Sequence, residues 1–288
     1  MISRCYLEIT NICNLDCLFC PKTARPPRRL TLQEFELLTD RLVGEVQFLY
    51  FHLMGEPLMH PQLPEMVSRA RQKGFVPVLT TNGTLLATQG PHAWPIAAPL
   101  LDAGLHKLQI SIHSHEGNGK SDPAEYMDHV MHYAIEAAHR GIIVVLRLWN
   151  QGGYDTHNQL LHDLIAQYIP RPWTQRYDGW RLADHLYLEY DQMFEWPDEE
   201  HDEYQEEETF CYALRNQIGV LVDGSVVPCC LDHEGSISLG NLREQTLAEI
   251  LAGTRAKALY DGFTNHTATE PLCRRCGYAS VSKRFRKR

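Results

Sequence analysis

The sequence predicts an α/β protein, six strand–helix units around a parallel sheet, with a small C-terminal extension. Three observations carry this. From Arg4 to Asp191, short β-branched or aromatic runs alternate with capped amphipathic stretches. The loops that follow the strands collect cysteine, glycine and polar residues, and α/β folds keep their chemistry beyond the carboxyl ends of their strands. An acidic run, DEEHDEYQEEE (Asp198 to Glu208), then gives way to a hairpin pattern and five further cysteines. Like charge this dense is a solvated linker. The expected division is a core over 1–197, an acidic linker over 198–210 and an extension over 211–288.

RCYLEIT (Arg4 to Thr10) is the first strand, and it runs into TNICNLDCLFCPK. Pro26 and Pro27 break the chain, and a helix starts at Thr31, where Thr31 and Glu34 form a capping box before Phe35, Leu37, Leu38 and Leu42. VQFLYFH (Val46 to His52) is a buried second strand ending in MGEP (Met54 to Pro57). A helix over Leu63 to Gln72 stops at Gly74, and FVPVLTTNG (Phe75 to Gly83) is the third strand despite Pro77. A less regular helical region covers Ala93 to Ala103. KLQISIH (Lys107 to His113) alternates as strand four, followed by the polar loop SHEGNGKS. Asp122 caps the next helix, with Pro123 at its first position, Glu125 at its third and Gly141 at its end. IIVVLRLW (Ile142 to Trp149), a helix from about Thr156 to Tyr168, and HLYLEYD (His185 to Asp191) complete the six units. Six parallel strands are too few to close an eight-stranded barrel.

Composition narrows the function. The net charge of -9 argues against a general nucleic-acid surface, and the basic end KRFRKR reads as a solvated tail. No apolar run reaches membrane-span length, and Met1 leads almost directly into strand one without a signal peptide's layout. Nine cysteines in such a chain point to metal ligation in a reducing cytoplasm, not to disulfides. Cys5, inside strand one, reads as a small buried hydrophobe.

Cys13, Cys17 and Cys20 are spaced Cys-x-x-x-Cys-x-x-Cys. Three thiolates this close can face one metal centre, zinc or iron–sulfur, and three where a closed site needs four leave a position open for chemistry. In the extension, Cys211 precedes QIGVLV, Asp223-Gly224 turns a hairpin into SVVPCC, a helix with a Thr246/Glu249 capping box follows, and Cys273 and Cys276 form a Cys-x-x-Cys pair. Two cysteine pairs suit a zinc ribbon and an iron–sulfur cluster alike.

The first cysteine triplet, with Phe19 before its last cysteine, resembles the signature of the radical S-adenosylmethionine (SAM) superfamily. The resemblance implies a partial (β/α)6 TIM-like barrel and a 4Fe–4S cluster whose open iron chelates SAM. It further implies reductive cleavage of SAM to a 5′-deoxyadenosyl radical that abstracts a substrate hydrogen, with electrons from a low-potential donor such as flavodoxin or ferredoxin. Gly55, Glu56 and Pro57 match the family's Gly-Glu-Pro for the SAM amino group. Thr81 and Asn82, in TTNG, and Ser111 fall at SAM-site positions, and Arg147, a guanidinium in an apolar strand, is counted with them and expected beside a carboxylate. His113 stands where relatives are often acidic, a departure that frees it to face substrate. His52, His113, Asn150 and Glu189 are the candidate substrate-holding residues.

The later cysteines resemble the Twitch form of the SPASM extension, which holds one auxiliary 4Fe–4S cluster; Cys211, Cys229, Cys273 and Cys276 match its ligands and Cys230 is the spare. The layout is similar to that of aminocyclitol dehydrogenases and, more weakly, of queuine lyases. A small polar metabolite is therefore expected over a peptide: the few residues before strand one leave none to spare for the leader-recognition module that peptide modifiers often carry. A redox-neutral lyase is expected over an oxidoreductase.

Overall fold

A computed structural model describes residues 2–113, 122–150, 158–200 and 210–279, excluding the side chain of Asn150. The loop SHEGNGKS, most of the acidic run and the basic tail lie outside the described residues.

Six strands form the parallel core: β1 (Arg4–Leu7), β2 (Phe48–Tyr50), β3 (Val76–Thr81), β4 (Lys107–Ser111), β5 (Ile143–Asn150) and β8 (Leu186–Gln192). They pair in that order, each parallel to the next. Helices α1 (Leu32–Asp40), α2 (Leu63–Gln72), α3 (Ala97–Asp102), α4 (Pro123–His139) and α5 (Gln159–Tyr168) make the crossovers. The α/β class and the six-stranded partial barrel expected from the sequence are what the chain adopts.

Local chemistry explains the helix starts. Thr31 accepts from the Glu34 amide while the Glu34 carboxylate takes the Thr31 amide, closing the capping box. Asp122 accepts from the Ala124 amide, and Pro123 fills the first position of α4, where an N–H has no helical partner. Strand one is shorter than expected: after Leu7 the chain turns to meet residues 26–30 through Leu30 N–H to Ile9 carbonyl, 2.9 Å.

Alternation along the strands separates two faces. Cys5, Leu7, Leu49, Leu79, Leu108, Leu146 and Leu188 are fully buried against the helices. The opposite face is polar: Arg4, Tyr6, Tyr50, Thr80, Lys107, Gln109, Ser111, Arg147 and Asp191 line an internal cavity.

Two features were not read from the sequence. A hairpin, β6 (Thr174–Arg176) and β7 (Gly179–Ala183), sits between α5 and β8 and pairs antiparallel to β8. The second is topological: β9 (Gln217–Val220), the first strand of the Asp-Gly hairpin, lies parallel to β1. With β10 (Ser225–Val227) and β11 (Gly240–Asn241) it extends the core sheet, giving eleven strands in the order β11-β10-β9-β1-β2-β3-β4-β5-β8-β7-β6. Helices α6 (Leu247–Ala252), α7 (Thr254–Thr264) and α8 (Pro271–Arg274) follow; the sequence reading had only the first of these.

Candidate active site

The first cysteine loop is held at its neck. Asn11 donates from Nδ2 to the Pro26 carbonyl (3.0 Å) and accepts the Arg28 amide (2.7 Å), and Thr10 Oγ1 donates to the Arg28 carbonyl (3.1 Å). Cys13, Cys17 and Cys20 are thereby presented at the carboxyl end of β1, at the cavity wall. Burial, then the neighbouring Cys13 and Cys20, pushes the Cys17 thiol up to about 11, and burial also raises Cys13 and Cys20. Thiols this close oppose one another's ionisation until a metal takes the charge.

Gly-Glu-Pro packs directly on that loop. Gly55 has φ +76°, and a Cβ there would sit 2.5 Å from the Thr10 carbonyl oxygen. The Glu56 amide donates to the Ile12 carbonyl at 2.9 Å. The Glu56 side chain is buried and accepts from Leu58 N–H (3.0 Å), Thr81 Oγ1 (2.8 Å) and Asn82 N–H (2.8 Å). Burial raises its pKa to about 7 against these donors. Asn82 turns its amide to Asn14 Oδ1 (3.0 Å), and Tyr126 donates its hydroxyl to the Asn82 carbonyl (2.8 Å). Glu56, Thr81 and Asn82 thus lock the ends of β2 and β3 together beside Cys13.

Ser111 and Arg147 are register partners on β4 and β5, and both line the cavity. The Arg147 guanidinium lies 3.5 Å from the Asp191 carboxylate on β8. His113 Nδ1 donates to the Arg147 carbonyl (3.1 Å), and its ring meets Phe19 and Trp149 at centroid distances of 5.3 and 5.9 Å. His52 stands beside Tyr6 and Tyr50, its Nδ1 buried without a partner among the described residues. Burial, then the charge of Arg147, lowers His52 to about 3; burial lowers His113 to about 4. Both rings are neutral. Glu189 pairs with Arg147 in register but is absent from the cavity wall, where Asp191 stands instead. The side chain of Asn150 lies outside the described residues.

Cys211, Cys229, Cys230, Cys273 and Cys276 line the same cavity. Burial raises all four of Cys229, Cys230, Cys273 and Cys276, and each also feels Cys211. Cys230 packs with Cys20 and Tyr6 around Leu53, Met54, Leu221 and Val227, on the side nearer the first cysteine loop. No three His, Cys, Asp or Glu side chains among the described residues converge as ligands of a single ion.

Sequence reasoning missed the ion pair beneath this arrangement. Glu8, fully buried, takes a two-pronged contact from Arg25 (2.6 and 2.7 Å), the Val222 amide (2.9 Å) and the Met54 amide (3.3 Å). Its signal was a carboxylate at an inward strand position. The aromatic wall of Trp149, Phe194, Trp196 and Tyr278 was also missed.

The radical SAM superfamily matches residues 7–149, and SPASM, an iron-sulfur cluster-binding domain, matches residues 211–277. The chain is a radical SAM enzyme with a SPASM domain. A tungsten-containing aldehyde ferredoxin oxidoreductase cofactor-modifying protein of Pyrococcus furiosus is 35% identical over 89 residues, 29% of this chain and 25% of that protein. The chain thus matches about a quarter of that relative's length. In fold it is similar to BtrN in complex with AdoMet and 2-DOIA (TM-score 0.60, 16% identity, 98% of this chain and 95% of that one). It is also similar to anSMEcpe with bound AdoMet and a Kp18Cys peptide (TM-score 0.65, 13% identity, 100% and 96%). The donor set fits the cofactors of such enzymes, a 4Fe–4S cluster with SAM and auxiliary iron–sulfur ligation: two sets of cysteines, and a buried carboxylate beside the first with no cation on it among the described residues.

Proposed function

We propose that this enzyme abstracts hydrogen from a small polar metabolite held between the two cysteine sets. The observation that carries the reading is the cavity. It measures about 580 Å³, room that the cofactors and a substrate would share, and both cysteine sets and the polar face of the sheet open onto it. Cys13, Cys17 and Cys20 hold the 4Fe–4S cluster, which when bound with SAM supplies the 5′-deoxyadenosyl radical. The chain's own residues do the rest. Gly55, Glu56 and Pro57 form the SAM ammonium seat, and Thr81, Asn82 and Ser111 border it. Arg147 is held by Asp191 at the edge, and the neutral rings of His52 and His113 offer hydrogen bonds without charge. The aromatic wall keeps water from the reacting carbon.

Cys211, Cys229, Cys273 and Cys276 would hold the second cluster through four thiolates and leave none of it to chelate substrate; in a redox-neutral reaction its role would be to brace the extension. A second reading is oxidation of the substrate with that cluster as electron acceptor; its support is that these cysteines line the substrate cavity itself. Electrons enter from a flavodoxin- or ferredoxin-type donor. The test is 5′-deoxyadenosine release by reduced, reconstituted protein across matched panels of polar metabolites and peptides. Metabolites should accelerate it. Acceleration by peptides alone overturns the reading in favour of a peptide-modifying enzyme.

A further inference from the structure

We propose that the substrate carries an anionic group, a carboxylate or a phosphate, and that Arg4 and Lys107 on the inner face of the sheet seat it. The inference deepens the metabolite reading above and rests on it for the location of the substrate.

Among the described residues, the charges that line the cavity can be matched one by one. Three carboxylates face it, and each is engaged. Glu56 takes Leu58, Thr81 and Asn82. Asp232, buried, takes the amides of Gly235, Ser236 and Ile237 at 2.8–3.1 Å. Asp191 stands beside Arg147. Three cations face the cavity, Arg4, Lys107 and Arg147. Only Arg147 has a carboxylate within ion-pair distance among the described residues. The cysteines draw on other cations, with Lys22 beside Cys20 and Arg147 beside Cys230. Arg4 and Lys107 are left as two positive charges lining the cavity with no carboxylate within ion-pair distance among the described residues. Lining a concave, partly apolar cavity, they focus a positive potential inward.

Register places them together with further donors. Tyr6 pairs with Tyr50, Tyr50 with Val78, and Val78 with Lys107, so these residues form one row across β1, β2, β3 and β4. Arg4 lies one inward position before Tyr6 on the same face. The Tyr6 and Tyr50 rings stack at 4.6 Å, and neither hydroxyl has a hydrogen-bond partner among the described residues. Gln109 accepts from Thr80 through Oε1 (3.2 Å), leaving its amide N–H groups for the cavity. A guanidinium, an ammonium, two hydroxyls and an amide donor thus line this part of the cavity. Oxyanions are what such a surface binds. Lys107 precedes Ser111 by four residues on β4, about 13 Å along the strand, so an anion held there leaves the other end of the molecule at the level of the SAM site.

The test is direct binding, independent of turnover. Inorganic phosphate and acetate are titrated calorimetrically into reconstituted, SAM-loaded protein at low ionic strength, with wild type compared to the double variant Arg4→Gln/Lys107→Gln. Both side chains are at least partly exposed, so the substitutions leave the apolar core untouched. Phosphate or acetate should bind wild type and bind the double variant about tenfold or more weakly. The charge-keeping variant Arg4→Lys/Lys107→Arg should retain most of the affinity. The preferred probe distinguishes a phosphate ester from a carboxylic acid as substrate. Equal binding to wild type and double variant, or binding to neither, overturns the proposal. So does a loss of SAM affinity in step with phosphate affinity, because the cations then serve the cofactor. Failure of the metabolite panel to release 5′-deoxyadenosine, with anion binding intact, counts against the proposed reaction instead.

Discussion

At Gly55 a side chain would meet the backbone of residues 10 and 11 from 2.5 to 2.9 Å, and φ is +76°. Gly55→Ala is therefore expected to cost at least about 1–3 kcal/mol and to lower iron incorporation, measured by thermal unfolding and by iron assay after reconstitution. Neighbouring Glu56 makes a different prediction. Its buried carboxyl has a pKa of about 7 against an ordinary value of 4.5. The folded chain then binds more protons than the unfolded one between these values, so stability without SAM falls as pH rises from about 4.5 to 7. An incoming ammonium requires the ionised form, so SAM affinity rises over the same window and levels off above it. Glu56→Gln should weaken SAM binding by about 1.5–3 kcal/mol and flatten that pH dependence in calorimetric titrations. A Gln variant that keeps the slope sinks the ammonium-seat assignment. Of this pair, the Gly-Glu-Pro motif was legible in the sequence, but the glycine's close approach to residues 10 and 11 was not. The carboxylate's ties to Leu58, Thr81 and Asn82 were not, because they depend on how β2 and β3 end side by side.

The cysteine loop depends on an anchor outside itself. Glu8 follows β1, Arg25 follows the loop, and their contact is completed by the Val222 amide after β9 and by the His233 carbonyl, which accepts from Arg25 Nε at 2.9 Å. Removing one partner of such a pair leaves a buried charge unpaired. Glu8→Gln should destabilise the chain by about 3–5 kcal/mol in denaturant unfolding, and a larger fraction of the loss should appear as failed cluster assembly than for an equally destabilising core substitution far from the loop. Element boundaries were most legible where a local device sets them: the Thr31/Glu34 and Thr246/Glu249 capping boxes, and Asp122-Pro123 ahead of α4. The β6–β7 hairpin escaped because its first strand is wholly exposed and carries no apolar alternation. Glu8 escaped because its partners come from three distant segments.

Across the whole molecule, two sets of cysteines line one cavity. Anaerobic reconstitution should load about eight irons per chain, and replacing Cys13, Cys17 and Cys20 by Ala should halve that number. Cys273→Ala/Cys276→Ala then separates the reaction classes, with circular dichroism as the folding control. A redox-neutral enzyme keeps its product ratio and loses stability. An oxidase still releases 5′-deoxyadenosine and loses its oxidised product. Both cysteine sets and the six parallel strands could be read from spacing and alternation. The placement of the hairpin against β1 could not, since a parallel partner so far along the chain leaves no local trace. That placement has a consequence for how the protein is made. The first strand leaves the ribosome early, yet one of its two neighbours, and the amide that completes the Glu8 anchor, lie more than two hundred residues later. Until then β1 has an unpaired edge, and its loop has an unfinished neck. The neck of the first cysteine loop is therefore complete only once β9 has been made, and chains that end before β9 should assemble the first cluster poorly.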